Sequence, residues 1–117
     1  MAEQITIQQT KYIEISWTSG TIDEARKVAR YLVQEHYVAC AQIIPWIESV
    51  YLWNNQIETA QESKVTLKTV IDHYEKIKEI ILKNSTYEVP EITYVHIVDG
   101  NVQYLDWIKQ STKTPLS

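Results

Sequence analysis

The chain has 117 residues, a formal net charge of −4 and a single cysteine, Cys40. This length predicts one domain, 1–117, and the negative charge disfavours non-specific binding to nucleic acid or to an anionic membrane. One cysteine excludes an intrachain disulfide and a zinc site made of several cysteines. It also indicates a reducing compartment, so we expect a cytoplasmic protein.

The first third of the chain predicts a strand followed by a helix. The segment KYIEISW, 11–17, alternates apolar and polar residues, which is the period of a β-strand. In the segment 21–37, spacings of three and four are typical of an amphipathic helix. Its predicted inner face comprises Ile22, Ala25, Ala29, Leu32, Val33 and His36. Thr21 and Glu24 have the T-x-x-E spacing of a capping box that would begin this helix.

A long hairpin is predicted in the middle of the chain. The apolar segment 38–44 predicts a strand that ends at Pro45. The segments IESVYLW and KVTLKTV predict further strand, on either side of a turn at Asn54 and Asn55, because asparagine tolerates positive φ.

This hairpin is apolar on both faces, since Tyr51 and Trp53 lie opposite Val50 and Leu52. A single antiparallel sheet in a small soluble protein normally has one wet face. Oligomerisation through the sheet would cover the second apolar face.

The last third predicts a helix, 72–84, a strand, 92–98, and a short closing helix, 102–110. The inner stripe of the first of these helices would comprise Tyr74, Ile77, Ile80, Ile81 and Asn84. Asp72 and Glu75 would cap it, and His73 would be solvated. We expect Trp107 to anchor the closing helix by packing with Tyr104 and Leu105, and residues 1–9 and 111–117 to be frayed.

The predicted order is strand, helix, strand, strand, helix, strand, with a short helix appended. This order favours an α+β fold, the ferredoxin-like βαββαβ sandwich with a long hairpin between its second and third strands. Both helices would then lie on one face of the sheet.

Several motifs occur in order along the chain: VACAQIIPWIESVYLWNNQIE, ESKVTLKT, YEVPEI and YLDWI. Together, from Tyr12 to Trp107, they resemble the CutA family of divalent-cation tolerance proteins. The resemblance implies a homotrimer with the architecture of PII signalling proteins, in which each hairpin extends the sheet into a neighbouring subunit. Tyr51 and Trp53 would then be interface residues.

The resemblance also implies a role in tolerance to copper and other divalent ions. In some members a Cys ends the first strand and a His-His or His-Pro pair precedes Tyr-x-x-Pro-Glu, and these have been taken as copper ligands. Here Ser16 or Trp17 stands at the first place and 84–86, Asn-Ser-Thr, at the second. Copper prefers thiolate, thioether and imidazole ligands. We therefore do not carry the copper site over, and Glu91 and His96 remain the metal-ligand candidates.

Charged residues of the matched motifs suggest a cleft between subunits. The candidates are Glu58, Glu62, Lys68, Tyr87 and Glu91. Carboxylates suit hard divalent ions and lysine suits an anion. The alternative, which we favour, is an ion-pair network that fixes the trimer. Glu91, directly after Pro90, is the foremost single candidate for a site residue.

The remaining metal-binding residue types have ordinary structural interpretations. Cys40, between two alanines of an apolar strand, is interpreted as a buried packing residue. His36, His73 and His96 are far apart in sequence, and His96 is interpreted as a satisfied core or interface histidine.

No nucleophile–base pair, phosphate-binding glycine loop or metal-ligand spacing is present in the sequence, so we do not expect an enzyme. The expected function is that of a CutA-like homotrimer that binds a metal ion or small ligand in clefts between subunits, in a sensing or signalling role. The alternative is a trimeric scaffold or interaction protein that has no ligand of its own.

Overall fold

A computed structural model describes residues 10–114. Its strands and helices follow in the order β1 Tyr12–Ser19, α1 Ile22–Gln34, β2 Cys40–Trp53, β3 Gln56–Val70, α2 Tyr74–Asn84, β4 Ile92–His96 and α3 Val102–Ser111. The predicted α+β class is confirmed. The fraying predicted for 1–9 and 115–117 lies outside the described residues. No helix within 10–114 combines the length and the apolar character needed to cross a membrane.

The four strands form one antiparallel sheet in the order β2-β3-β1-β4. Strand β1 is central and pairs along its whole length with β3, from Tyr12 opposite Val70 to Ser19 opposite Ser63. Helices α1 and α2 supply the other half of the core, so both cover the same face of the sheet. The other face is not covered by α1 or α2, and Tyr104 of α3 lies against it at Lys68.

The core lies between this face and the two helices. Its fully or nearly fully buried residues are Ile13, Ile15, Trp17, Ala25, Val28, Ala29, Leu32, Val38, Val65, Leu67, Ile77, Ile80 and Ile81. Burial of each large apolar side chain contributes about 1.5–3 kcal/mol, so this cluster is the main source of stability. The alternation predicted for β1 is confirmed. The buried Trp17 indole N–H has no hydrogen-bond partner among the described residues.

Helix α1 begins as predicted but presents a different inner face. The Glu24 N–H donates to Thr21 Oγ1 over 3.1 Å, which caps the first turn. The buried stripe contains Val28, whereas Val33 and His36, predicted to face inward, are exposed. Val33 lies beside this stripe, and for His36 the reason is that the helix ends at Gln34. His36 therefore lies beyond it, with a positive φ of 60°.

The hairpin is a continuous pair of long strands. The prediction that Pro45 ends a strand is wrong, because β2 runs through it with a shift of register between Ile44 and Ile47. Proline is tolerated there because β2 is an edge strand and an irregular ladder does not need its missing N–H. The Pro45 carbonyl accepts a hydrogen bond of 2.8 Å from Ser63 Oγ. The turn prediction is confirmed, with φ of 51° at Asn54 and 63° at Asn55.

Helix α2 starts later than predicted. Residues 71–73 form a 3₁₀ turn, and no side chain caps the helix, so the predicted cap from Asp72 is wrong. The turn carries His73 inward, where it is 5% exposed rather than solvated. Its Nε2 donates to the Lys113 carbonyl over 2.7 Å. Asn84, predicted to face inward, is exposed.

The C-terminal helix is anchored by Ile108, which is fully buried. Trp107, the predicted anchor, is 43% exposed. Within 111–114, for which we predicted fraying, the Lys113 N–H donates to the His36 carbonyl over 2.8 Å. The Lys113 Nζ also lies 3.9 Å from the centre of the Tyr37 ring. Strand β4 ends at His96, two residues before the predicted Val98.

Candidate functional site

The outer half of the β2–β3 hairpin is exposed on both faces. Leu52 is 71% and Ile57 74% exposed on one face, and Trp53 is 65% exposed on the other. Tyr51, on the same face as Trp53, is 45% exposed. Within the described chain, both apolar faces of this part of the hairpin are therefore largely exposed.

A groove of about 410 Å³ lies between this hairpin and the loop that joins α2 to β4. The hairpin contributes Tyr51, Trp53, Glu58 and Glu62, and the loop contributes Tyr87, Glu88 and Val89. Tyr51 and Glu58 are directly opposite in the strand register, which places both side chains on the same face. The groove thus combines aromatic walls with three carboxylates.

Tyr87 joins the loop to the hairpin. Its hydroxyl donates a hydrogen bond of 2.7 Å to Glu62 Oε2. Burial, and then the hydrogen bond and negative charge of Glu62, raise the pKa of Tyr87 to about 12. Tyr87 therefore remains a neutral donor through the physiological pH range. Its ring lies close against Gly20, where an added Cβ would be 3.1 Å from Cε1 and Cζ.

Glu24 also binds the start of the loop between α2 and β4. Its position in the capping motif does not predict this second role. Its Oε1 accepts a hydrogen bond of 2.7 Å from the Thr86 N–H. Its Oε2 accepts one of 2.6 Å from Ser19 Oγ. The carboxylate thus ties the loop to the end of β1.

Glu91 lies outside the groove. Its Oε2 accepts a hydrogen bond of 2.5 Å from Thr18 Oγ1, and its Oε1 lies 3.6 Å from Lys64 Nζ. The Glu91 carbonyl also accepts from the Thr18 N–H over 3.3 Å. Sequence reasoning missed Thr18 and Lys64, although Lys64 lies on the same face of β3 as Glu62.

Lys68 is also separate from the groove. It is six residues along β3 from Glu62, about 20 Å at the rise of a strand. Its Nζ donates to Gln42 Oε1 over 2.9 Å and lies 5.9 Å from the centre of the Tyr104 ring. Of the predicted cleft residues, the structure therefore brings together Glu58, Glu62 and Tyr87, while Glu91 and Lys68 each occupy other places.

The soft ligands that copper prefers are dispersed. Within 10–114, no three His, Cys, Asp or Glu side chains are grouped so that they could hold a metal ion. His96 Nδ1 donates to the Thr10 carbonyl over 2.7 Å, and His73 is bonded to Lys113. Cys40 is partly exposed, which corrects its prediction as buried, because it lies opposite Lys68 on the face away from α1 and α2. A copper site does not fit the described residues of one chain.

Comparison with known proteins identifies the family. A family model described as "CutA1 divalent ion tolerance protein" matches residues 13–111. The divalent-cation tolerance protein CutA of Thermus thermophilus is 38% identical over 88 residues, which cover 75% of this chain and 85% of that protein.

A plant relative and a solved structure agree with this match. The chloroplastic protein CutA of Arabidopsis thaliana is 36% identical over 91 residues, 78% of this chain and 50% of that protein, so the chain spans about half of the plant relative. The crystal structure of CutA1 from Shewanella sp. SIB1 superposes with a TM-score of 0.87 at 31% identity, covering 92% of this chain and all of that one. The chain therefore belongs to the CutA1 divalent ion tolerance family.

Proposed function

We propose that this divalent-cation tolerance protein acts as a homotrimer whose hairpin grooves, closed by neighbouring subunits, take up a divalent ion or a small ligand. The observation that carries the proposal is the groove itself, in which Glu58 and Glu62 lie beside the exposed aromatic rings of Tyr51 and Trp53. An assembly that covered the rings would also enclose the carboxylates.

The trimer is supported by the two-faced apolar hairpin. A stable interface buries about 800 Å² on each partner and has aromatic side chains at its centre. Trp46, Trp53 and Leu52 are each more than 60% exposed on the single chain. The strand order β2-β3-β1-β4, with α1 and α2 on one face, supports the ferredoxin-like subunit that we propose, whose opposite face would serve PII-like assembly.

The ligand class follows from the groups in the groove. Glu58, Glu62 and Glu88 are oxygen donors, which hard divalent cations prefer. The described part of one chain does not group three such ligands closely enough to hold an ion, so we propose that a neighbouring subunit completes the site. A sensing or signalling role follows only by analogy with PII-like architecture. A cytoplasmic location and the lack of enzymatic activity stay predictions.

The alternative function is a trimeric scaffold without a ligand. It is favoured by the internal pairing of the acidic groups, since Glu62 accepts from Tyr87 and Glu91 accepts from Thr18 and pairs with Lys64. Carboxylates that are already satisfied in this way have less capacity to hold an ion.

Native mass spectrometry tests both functions on protein purified without chelator or affinity metal. The proposal predicts a species of about 41 kDa, three subunits of 13.7 kDa, with a reproducible added mass. A bare trimer would favour the scaffold, and a monomer would contradict the assembly.

A titration with Mn²⁺ then tests the groove. Glu58→Gln keeps the shape of the side chain and removes a charged ligand, so we expect binding about tenfold weaker or more. Glu75→Gln is the matched control, because Glu75 lies on α2 and pairs only with Lys78 among the described residues. Equal Mn²⁺ affinity in the parent and Glu58→Gln would exclude the groove as the ion site.

A further inference from the structure

A second cavity, of about 430 Å³, lies between α1 and α2 and shares no residue with the hairpin groove. We propose that it binds a small amphipathic anion, a molecule with a flat apolar body and one carboxylate, sulfonate or phosphate group. The cavity falls in the volume range of small-molecule sites, about 300–1,000 Å³. This site is independent of the proposed uptake of a cation.

The walls of the cavity are apolar. Val28 and Ile80 are 2% and 8% exposed and form part of its floor, and the Tyr31 ring, which is 46% exposed, forms a side. Because Val28, Ile80 and the Tyr31 ring line the cavity, an occupant gains most by burying a hydrocarbon or aromatic body against them. An aromatic ring at this position can pack against a flat ring of the ligand.

The charged groups at the cavity are all basic. Lys27 comes from α1, and Lys76 and Lys83 come from α2. Lys76 and Lys83 both pair with one carboxylate oxygen of Glu79, at 3.6 Å and 3.1 Å. Lys27 forms no ion pair among residues 10–114. Three lysines against one neighbouring carboxylate leave an excess of positive charge on a chain of net charge −4.

This combination selects the class of ligand. Long lysine side chains place their ammonium groups at the solvent end of an apolar surface, so the anionic end of a ligand would lie at the rim and its apolar body against Val28 and Ile80. A divalent cation is excluded here by charge repulsion from Lys27, Lys76 and Lys83. A neutral apolar molecule would bind without the contribution of the lysines.

The test uses 1-naphthaleneacetate and its neutral analogue 1-naphthaleneacetamide, which have nearly the same shape. Both are titrated into the full chain while backbone amide shifts are recorded by NMR. For a ligand of this size we expect a dissociation constant for the anion on the order of 1 mM, with the largest shifts at 27–31 and 80–84. The amide should bind about threefold more weakly or worse.

Three surface variants separate the rim lysines from general charge effects. Lys27→Gln and Lys83→Gln should each weaken the binding of 1-naphthaleneacetate about threefold. Lys78→Gln is the control, because Lys78 lies on the same helix as Lys83 but outside this cavity and pairs with Glu75 at 2.9 Å. Circular dichroism checks that each variant is folded.

Several results would overturn the proposal. Equal affinity for the anion and the amide would remove the role of the lysines. Shifts confined to the hairpin would place the naphthalene ring on another apolar surface. An equal loss of affinity for 1-naphthaleneacetate in Lys78→Gln and Lys27→Gln would show that only the net charge matters. The lack of any saturable NMR shift would exclude the site.

Discussion

The hydroxyl of Tyr87 donates a hydrogen bond of 2.7 Å to Glu62, and this contact ties the loop between α2 and β4 to the long hairpin. The two residues are 25 positions apart and belong to different sides of the groove. Because Tyr87 joins the two sides of the groove, removal of its hydroxyl should alter both the stability of the loop and the freedom of the Glu62 side chain.

Replacement of Tyr87 with Phe removes the hydroxyl and keeps the ring. We expect the free energy of unfolding to fall by about 1 kcal/mol, the usual net contribution of one hydrogen bond, measured by urea denaturation. The control is Tyr31→Phe, because Tyr31 is partly exposed and its hydroxyl has no hydrogen-bond partner within 10–114. Equal effects in the two variants would contradict the role of the Glu62 contact.

The stabilisation from Tyr87 should depend on pH in the alkaline range. Its pKa is raised from 10.0 to about 12 in the folded chain, so the folded state holds the proton more tightly than the unfolded state. The stabilisation is then fully present below pH 10.0 and is lost as the pH rises through about 12. The difference in unfolding free energy between the parent and Tyr87→Phe should shrink across this window, and a constant difference would contradict the assignment.

Replacement of Gly20 with Ala should disturb the hydrogen bond between Tyr87 and Glu62 by displacing the Tyr87 ring. The added Cβ would lie 3.1 Å from the Tyr87 ring, so the ring must move by a few tenths of an ångström. The φ of Gly20 is not positive, so the backbone itself accepts alanine. We expect the Tyr87 pKa to fall towards 10.0, measured by the ultraviolet absorbance of tyrosinate against Tyr87→Phe as the blank.

A double-mutant cycle separates this effect from a general cost of alanine at position 20. If Gly20→Ala acts through the hydrogen bond to Glu62, the losses of stability in Gly20→Ala and Tyr87→Phe should sum to more than the loss in the double variant. Strict additivity would show that the two changes are independent.

Short sequence patterns correctly predicted those strands and turns whose structure depends on a few adjacent residues. The alternation of Ile13, Ile15 and Trp17 gave a buried strand, and Asn54 and Asn55 gave the turn, because side-chain periodicity and tolerance of positive φ are properties of a few adjacent residues. The family was also predictable, since its motifs extend over most of the chain.

Contacts between distant residues could not be predicted in the same way. His73 was predicted to be solvated, because its partner, the Lys113 carbonyl, is 40 residues away. Glu24 has the spacing of a helix cap, yet its carboxylate holds Thr86, 62 residues later. Glu91 and Lys68 lie outside the groove that contains Glu62. Their positions depend on strand register and on the path of the loop, which no local sequence pattern specifies.

Replacement of His73 with Ala should release the segment after α3. The Lys113 carbonyl would lose its donor in a partly buried place, which costs about 1–3 kcal/mol. We expect a lower melting temperature and faster hydrogen exchange at the Lys113 N–H, which is bonded to the His36 carbonyl. His36→Asn is the control, because His36 is exposed and asparagine accepts its positive φ. A melting temperature that falls equally in both variants would contradict the specific role of His73.

Replacement of Trp53 with Ala tests the proposed assembly. Trp53 is 65% exposed on the single chain, so its truncation removes little burial within one subunit. If a neighbouring subunit covers it, the loss of a buried interface aromatic should weaken association by about 2–4 kcal/mol. Native mass spectrometry on serial dilution should then show dissociation at higher protein concentration than in the parent. Leu82→Ala is the control, since Leu82 is 51% exposed on α2, away from the hairpin. Unchanged dissociation in Trp53→Ala would place Trp53 outside the interface, and both apolar faces of the hairpin would again need a covering partner.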